Sequence, residues 1–210
     1  DRLVPGHVRN SAETEELRRS QVVQREVGLV FGLEDGSDLQ VLSSRLGGVY
    51  SFLPVEAEQT GLPFGIFGDF VPHPNRVAVN EGLTWNQWLC DEVTNLLKES
   101  VQYVFLAEER WKFAPFRLFA WLQEPHRRDA APRFWAERVW EPVRHFLAEG
   151  SFYPDRDGML CRLADLVHDE DELEAALGGE AMTALLRGKH LAHPNVVREL
   201  GSEITPVRLY

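Results

Sequence analysis

Hydrophobic and polar positions divide this chain into three stretches. The first, residues 1–24, is acidic and helix-like: Ser11 is placed to cap a short helix with Glu13, Glu15 and Glu16 in its first turn. From Val27 the pattern alternates, with Leu29, Phe31 and Leu33 on one face and Gly28, Val30 and Gly32 on the other. That alternation predicts a strand, closed by a turn at Asp35-Gly36. The apolar runs at 47–55 (GGVYSFLPV) and 63–71 (PFGIFGDFV) predict two more buried strands, the second leading into the turn residues His73, Pro74 and Asn75. Gly68 inside a strand predicts a bulge or a close backbone approach.

A long helix follows. Trp85, Trp88, Leu89, Val93, Leu96, Leu97, Val101, Val104 and Phe105 recur at helical spacing, and Thr84 with Gln87 makes a capping box. This stripe is expected to pack across the preceding strands. After about residue 108 the pattern turns helical and aromatic. A helix is expected over 113–122, then a polar loop over 124–132, with Pro132 as first residue of a further helix that Pro142 kinks or restarts. Asp155-Arg156-Asp157-Gly158 reads as a hairpin turn. Short helices at 169–177 and 180–186 flank Gly178-Gly179, and 204–209 is a last strand candidate. The expected fold class is α+β, with a core at 25–107 and a mainly helical subdomain with small β additions at 108–210.

Composition narrows the reading only modestly. The 210 residues carry a formal charge of −11, which argues against nucleic-acid binding through a uniformly positive surface and leaves a local basic patch open. No run approaches the length of about 18 apolar residues that a membrane helix needs, and no signal-peptide pattern is visible. Cys90 and Cys161 lie far apart in apolar surroundings and fit reduced, buried thiols of a cytoplasmic protein. Of the 22 aromatic residues, 13 fall between Tyr103 and Tyr153. They form either an exposed face for a protein client or, the favoured reading, a helical core of large side chains.

Signatures of complete active sites are missing. There is no G-x-S-x-G, no G-x-G-x-x-G and no P-loop. His190-x-x-His193 lacks neighbouring Cys or Glu in sequence and reads as a pair of surface histidines. Asp155-x-Asp157-Gly158 has its glycine too early for a calcium loop and reads as a plain turn. Arg127, Arg128, Arg133, Arg138 and Arg144 are interleaved with Glu124, Glu137, Glu141 and Glu149, so ion-paired helix surfaces are favoured over a DNA-binding face. The loop after Asp69 is different. Asn75 and Arg76 stand in a segment without acidic residues between Val71 and Asn80, directly before the long helix. An arginine there is placed either to neutralise a phosphoryl group or, the reading the residues alone favour, to pair with Asp69 or cap the loop.

Leu53-Pro54, Thr60-Gly61-Leu62-Pro63, Gly68-Asp69-Phe70, Asn75-Arg76 and Trp85-Asn86, with Gly188-Lys189 and His193-Pro194 further on, resemble the sacsin-like ATPases. These are relatives of the heat-shock protein 90 chaperones in the gyrase, chaperone, histidine-kinase and MutL superfamily. The likeness is strong over 25–107, loose to about 200 and absent from the first twenty residues. It implies a middle, transducer-like domain with a left-handed βαβ core, downstream of a nucleotide-binding domain that holds ATP and Mg. By the same resemblance Arg76 matches the arginine that reaches the γ-phosphate, with Asp69 and Asn75 positioning its loop. The family's Glu-Asn helix and D-x-G-x-G are missing, so the chain, which opens on Asp1, reads as a fragment without ATPase activity or a cofactor site of its own. Implied partners are the upstream domain, a protein client and a second copy in a homodimer. A DNA repair or defence ATPase of the same superfamily is the alternative.

Overall fold

Two short strands clip the start of the chain to itself. In the computed structural model, which describes residues 1–34, 38–40, 48–55, 58–124, 130–169, 173–200 and 205–206, β1 (Arg2–Leu3) pairs antiparallel with β2 (Gln24–Arg25). Between them lie α1 (Gly6–Arg9) and α2 (Ala12–Glu16). Ser11 caps α2 as expected, its Oγ accepting the Thr14 N–H at 3.2 Å.

The alternating run from Val27 does not remain one strand. β3 (Val27–Val30) ends at Phe31, and β4 (Gly32–Glu34) pairs with β5 (Asp38–Gln40) in a separate ribbon. Phe31 instead packs against Phe64 and Phe105, with ring centroids 5.1 and 5.4 Å away. The turn expected at Asp35-Gly36 lies outside the described residues. The run at 47–55 is also divided, into β6 (Val49–Ser51) and β7 (Leu53–Pro54), which fold back on each other around Phe52. Phe52 has φ +61 and is 97% exposed. Both arms of so tight a reversal are apolar, so the sequence pattern reads as one strand. With β8 (Gly65–Gly68) these strands form a four-stranded sheet ordered β3-β8-β6-β7, in which only β6 and β8 run parallel. Gly68 keeps regular register with Val27. It is a close approach rather than a bulge, because a Cβ there would stand 3.1 Å from the Phe70 ring. The connection from β6 to β8 contains no helix among the described residues, and the long helix comes after β8.

That helix, α3 (Thr84–Ser100), buries Trp85, Trp88, Leu89, Cys90, Val93 and Leu97. It continues into a π-helical turn, Val101–Phe105. Val101 and Phe105 stay buried across the wider turn while Val104 rotates out to 40% exposure. The capping box is not formed. Thr84 is already helical and its hydroxyl donates to Glu13 Oε2 at 3.2 Å, while Gln87 donates back to Glu81 O at 3.0 Å. A tertiary contact to α2 has replaced the local one.

The helical half contains α4 (Ala114–Gln123), α5 (Arg133–Trp135), a π-helical turn (Ala136–Trp140) and α6 (Glu141–Glu149). Pro132 sits one position before the helix, still extended at ψ 140, rather than as its first residue. Pro142 lies in the first turn of α6, so it restarts the helix. It has no N–H to offer the Arg138 carbonyl four residues back; Thr94 Oγ1 donates to that carbonyl instead at 2.9 Å. The hairpin β9 (Ser151–Pro154) and β10 (Leu160–Arg162) forms around the expected turn. Then β11 (Leu166–His168), α7 (Leu173–Leu177), α8 (Gly179–Leu186) and β12 (His190–Leu191) make a parallel unit, followed by α9 (Pro194–Leu200) and β13 (Thr205–Pro206) on the other side of β11. The architecture is α+β with small sheets. One cluster of buried side chains draws on Val4 and Val8, on Phe64, Ile66 and Trp85, and on Phe116, Trp135, Trp140 and Val196.

Candidate functional site

Residues 71–80 leave β8 and return to the start of α3 as a closed loop. An antiparallel bridge joins Pro72 to Val79, Asn80 N–H donates to Val71 O at 3.0 Å, and His73 N–H donates to Ala78 O at 2.9 Å. At the tip, Asn75 Oδ1 accepts the Val77 N–H at 3.2 Å. Arg76 between them has φ +57, a left-handed conformation rare outside glycine and asparagine, and its N–H donates to His73 O at 2.8 Å. Backbone strain of this kind persists only where the surroundings fix it. The Arg76 side chain is exposed and makes no hydrogen bond or ion pair among the described residues.

Two buried polar side chains fix the loop from behind. Asn86, wholly buried in the first turn of α3, accepts the Val71 N–H at 2.9 Å and donates to Val71 O at 2.7 Å and Asn80 O at 2.8 Å. Glu58, only 8% exposed, accepts the Val79 N–H at 2.6 Å with one oxygen and the Trp135 indole N–H with the other. Two further indoles grip the same strip: Trp140 donates to Thr60 O at 3.1 Å and Trp121 to Gly61 O at 3.2 Å. Gly61 has φ +71, and a Cβ there would stand 3.2 Å from the Trp140 ring, so glycine is required twice over. A continuous set of bonds therefore runs from the helical half through 58–61 to the arginine loop.

Asp69 has other partners. Its Oδ1 accepts from Arg19 at 2.6 Å and its Oδ2 from Arg25 Nε at 2.9 Å, while its carbonyl accepts the Trp85 indole N–H at 2.9 Å. The Arg19 guanidinium also lies 5.0 Å from the Trp85 ring. Burial pulls its pKa below the ordinary arginine value, against the upward pull of Asp69, and neighbouring Arg25 lowers it further. Asp69 thus ties residues 19–25 to the helix start, and Arg76 is not among its partners.

Sequence reasoning placed Arg76 and Asn75 together at the tip but missed Glu58 and the three indoles. The available signal was an acidic residue next to an apolar run, which becomes meaningful only when Trp135, 77 positions away, is brought to it. The aromatic-rich stretch is core rather than an exposed face: Phe116, Phe119, Trp121, Trp135 and Trp140 are all buried. Of the interleaved arginines, Arg133 pairs with Glu137 at 2.6 Å, Arg138 with Asp91 at 3.1 Å and Arg144 with Glu141 at 2.8 Å. Arg127 and Arg128 lie outside the described residues.

The two C-terminal histidines diverge. His193 packs on Phe113, ring centroids 5.3 Å apart, and accepts the Asn195 N–H. His190 Nδ1 lies 3.0 Å from Asp155 Oδ2, and Cys161 completes a group of three ligand-type side chains. No protein-family model, curated protein or solved structure matches the chain. The braced loop itself offers one exposed guanidinium with no carboxylate on its own segment, which suits it to meet an anion.

Proposed function

We propose that this chain is the middle, transducer-like module of a sacsin-like, chaperone-type ATPase, and that Arg76 meets the γ-phosphate of ATP held with Mg by an upstream nucleotide-binding domain. The family's left-handed βαβ arrangement belongs to the same proposal. The observation that carries it is the exposed, left-handed Arg76 at the tip of a loop that Asn86 and Glu58 hold from buried positions. The held backbone fixes where the Arg76 side chain starts, and a guanidinium brought to a transferring phosphoryl group stabilises the charge that develops there. The bond set from Trp135 through Glu58 to Val79 supports a relay, since a shift of the helical half would be felt at the loop. In the parent ATPase, Arg76→Ala is expected to lower ATP turnover by at least about a hundredfold, short of the full effect of an arginine finger. Turnover unchanged in a folded Arg76→Ala protein would overturn the assignment.

A second reading, a module that grips a protein partner, is favoured by the tip of the β6–β7 reversal. Phe52 and Leu53 are exposed there, and Phe67 on the neighbouring strand is 40% exposed. In that case Phe52→Ser, rather than Arg76→Ala, abolishes partner binding.

A further inference from the structure

The turn between β9 and β10 is stitched onto β12. Asp155 forms an antiparallel bridge with Ala192, Arg156 N–H donates to Leu191 O at 2.8 Å, and His193 N–H donates to Pro154 O at 3.1 Å. This stitching brings together three side chains that are distant in sequence. Asp155, His190 and Cys161 each offer a ligand atom, and the three atoms lie within 4.8 Å of one another. Asp155 is 3% exposed and Cys161 7% exposed.

We propose that Asp155, Cys161 and His190 bind a divalent transition-metal ion, with zinc the best match. A carboxylate, a thiolate and an imidazole form a mixed donor set suited to tetrahedral zinc. Ligands on a shared tetrahedral zinc stand about 3.3–3.5 Å apart, so the observed spacing needs only small side-chain adjustments. The orientation of Asp155 is already fixed. Its Oδ1 accepts the Asp157 and Met159 N–H groups at 3.0 and 2.8 Å, leaving Oδ2, now against His190 Nδ1, to turn to the ion. Cys161 Sγ has only a weak contact to Met159 O at 3.6 Å to give up. Asp155 and His190 line a cavity of about 420 Å³ whose far wall includes Met182, Thr183 and Leu186 of α8. The fourth coordination position opens to that cavity, where water or a small donor ligand completes the shell.

The test is titration of the purified chain with Co2+ as a spectroscopic stand-in for zinc. The expected result is a single tetrahedral site with a thiolate-to-cobalt charge-transfer band. The band survives in Cys90→Ser and disappears in Cys161→Ser. His190→Ala weakens binding by about a hundredfold or more, and Asp155→Asn, which keeps an acceptor for the turn, weakens it by at least about tenfold. Zinc raises the Tm of the native chain and not of His190→Ala. A band that persists in Cys161→Ser, or an octahedral Co2+ spectrum without thiolate character, would overturn the site.

Discussion

Asn86 shows how much one residue can hold. It is wholly buried and uses its carbonyl oxygen and both amide hydrogens on the backbone of Val71 and Asn80, the two ends of the arginine loop. Leaving buried backbone groups without partners costs about 1–3 kcal/mol for each. Asn86→Ala is therefore expected to destabilise the chain by about 3 kcal/mol, read as a lower urea midpoint with unchanged slope, and to broaden the amide signals of 71–80. Arg76 contrasts with it, for its side chain contributes no bond to the fold. Arg76→Ala should leave the urea midpoint nearly unchanged, which makes its effect on turnover a clean readout. Asn75 and Arg76 were legible from sequence because turn residues and an acid-free stretch are local signals. Asn86 was legible only as part of a resemblance, because its role depends on which backbone groups the fold brings to it.

At the scale of elements, the π-helical turns are where local pattern and tertiary packing diverge. The turn Ala136–Trp140 ends against Pro142, and the Arg138 carbonyl that proline leaves unpaired is satisfied from α3 by Thr94. Thr94→Val keeps the shape and removes that donor. The expected loss is about 1–2 kcal/mol, measured by chemical denaturation, with helix content by circular dichroism unchanged. A valine variant as stable as the native chain would show that water replaces the hydroxyl. The strands behaved differently. Alternation identified β3 and the apolar runs identified β6 and β8, but the alternation ran across the break at Phe31 and the run at 47–55 across the one at Phe52, because an apolar residue at a reversal looks the same in sequence as one in mid-strand. The capping box failed for a related reason: Thr84 and Gln87 have the right spacing, yet Glu13 and the Glu81 carbonyl are better placed partners.

At the scale of the molecule, the helical half and the sheet half share one core and are joined by directional bonds. Trp121, Trp135 and Trp140 donate into residues 58–61, and Arg138 reaches Asp91 on α3. A fragment of residues 1–107 loses all of these donors and exposes the face of α3 that packs on the helical half. It is expected to show no cooperative thermal transition and to bind a hydrophobic dye, while the 210-residue chain unfolds cooperatively. A fragment that melted sharply would mean that the sheet and α3 are self-sufficient. No helix among the described residues is long and apolar enough to cross a membrane.

By itself the sequence determined the α+β class, the long helix and its buried stripe, the hairpin turn at 155–158 and the acid-free arginine loop. Each of these rests on spacing within one turn or one strand, where side-chain direction is fixed by backbone period. Only the tertiary structure decided what braces the loop, where Asp69 points and which side chains surround Asp155. Glu58 meets Trp135, and Asp155 meets Cys161 and His190, across separations that no local period encodes. Such meetings follow from how the elements pack, and packing is a property of the whole chain.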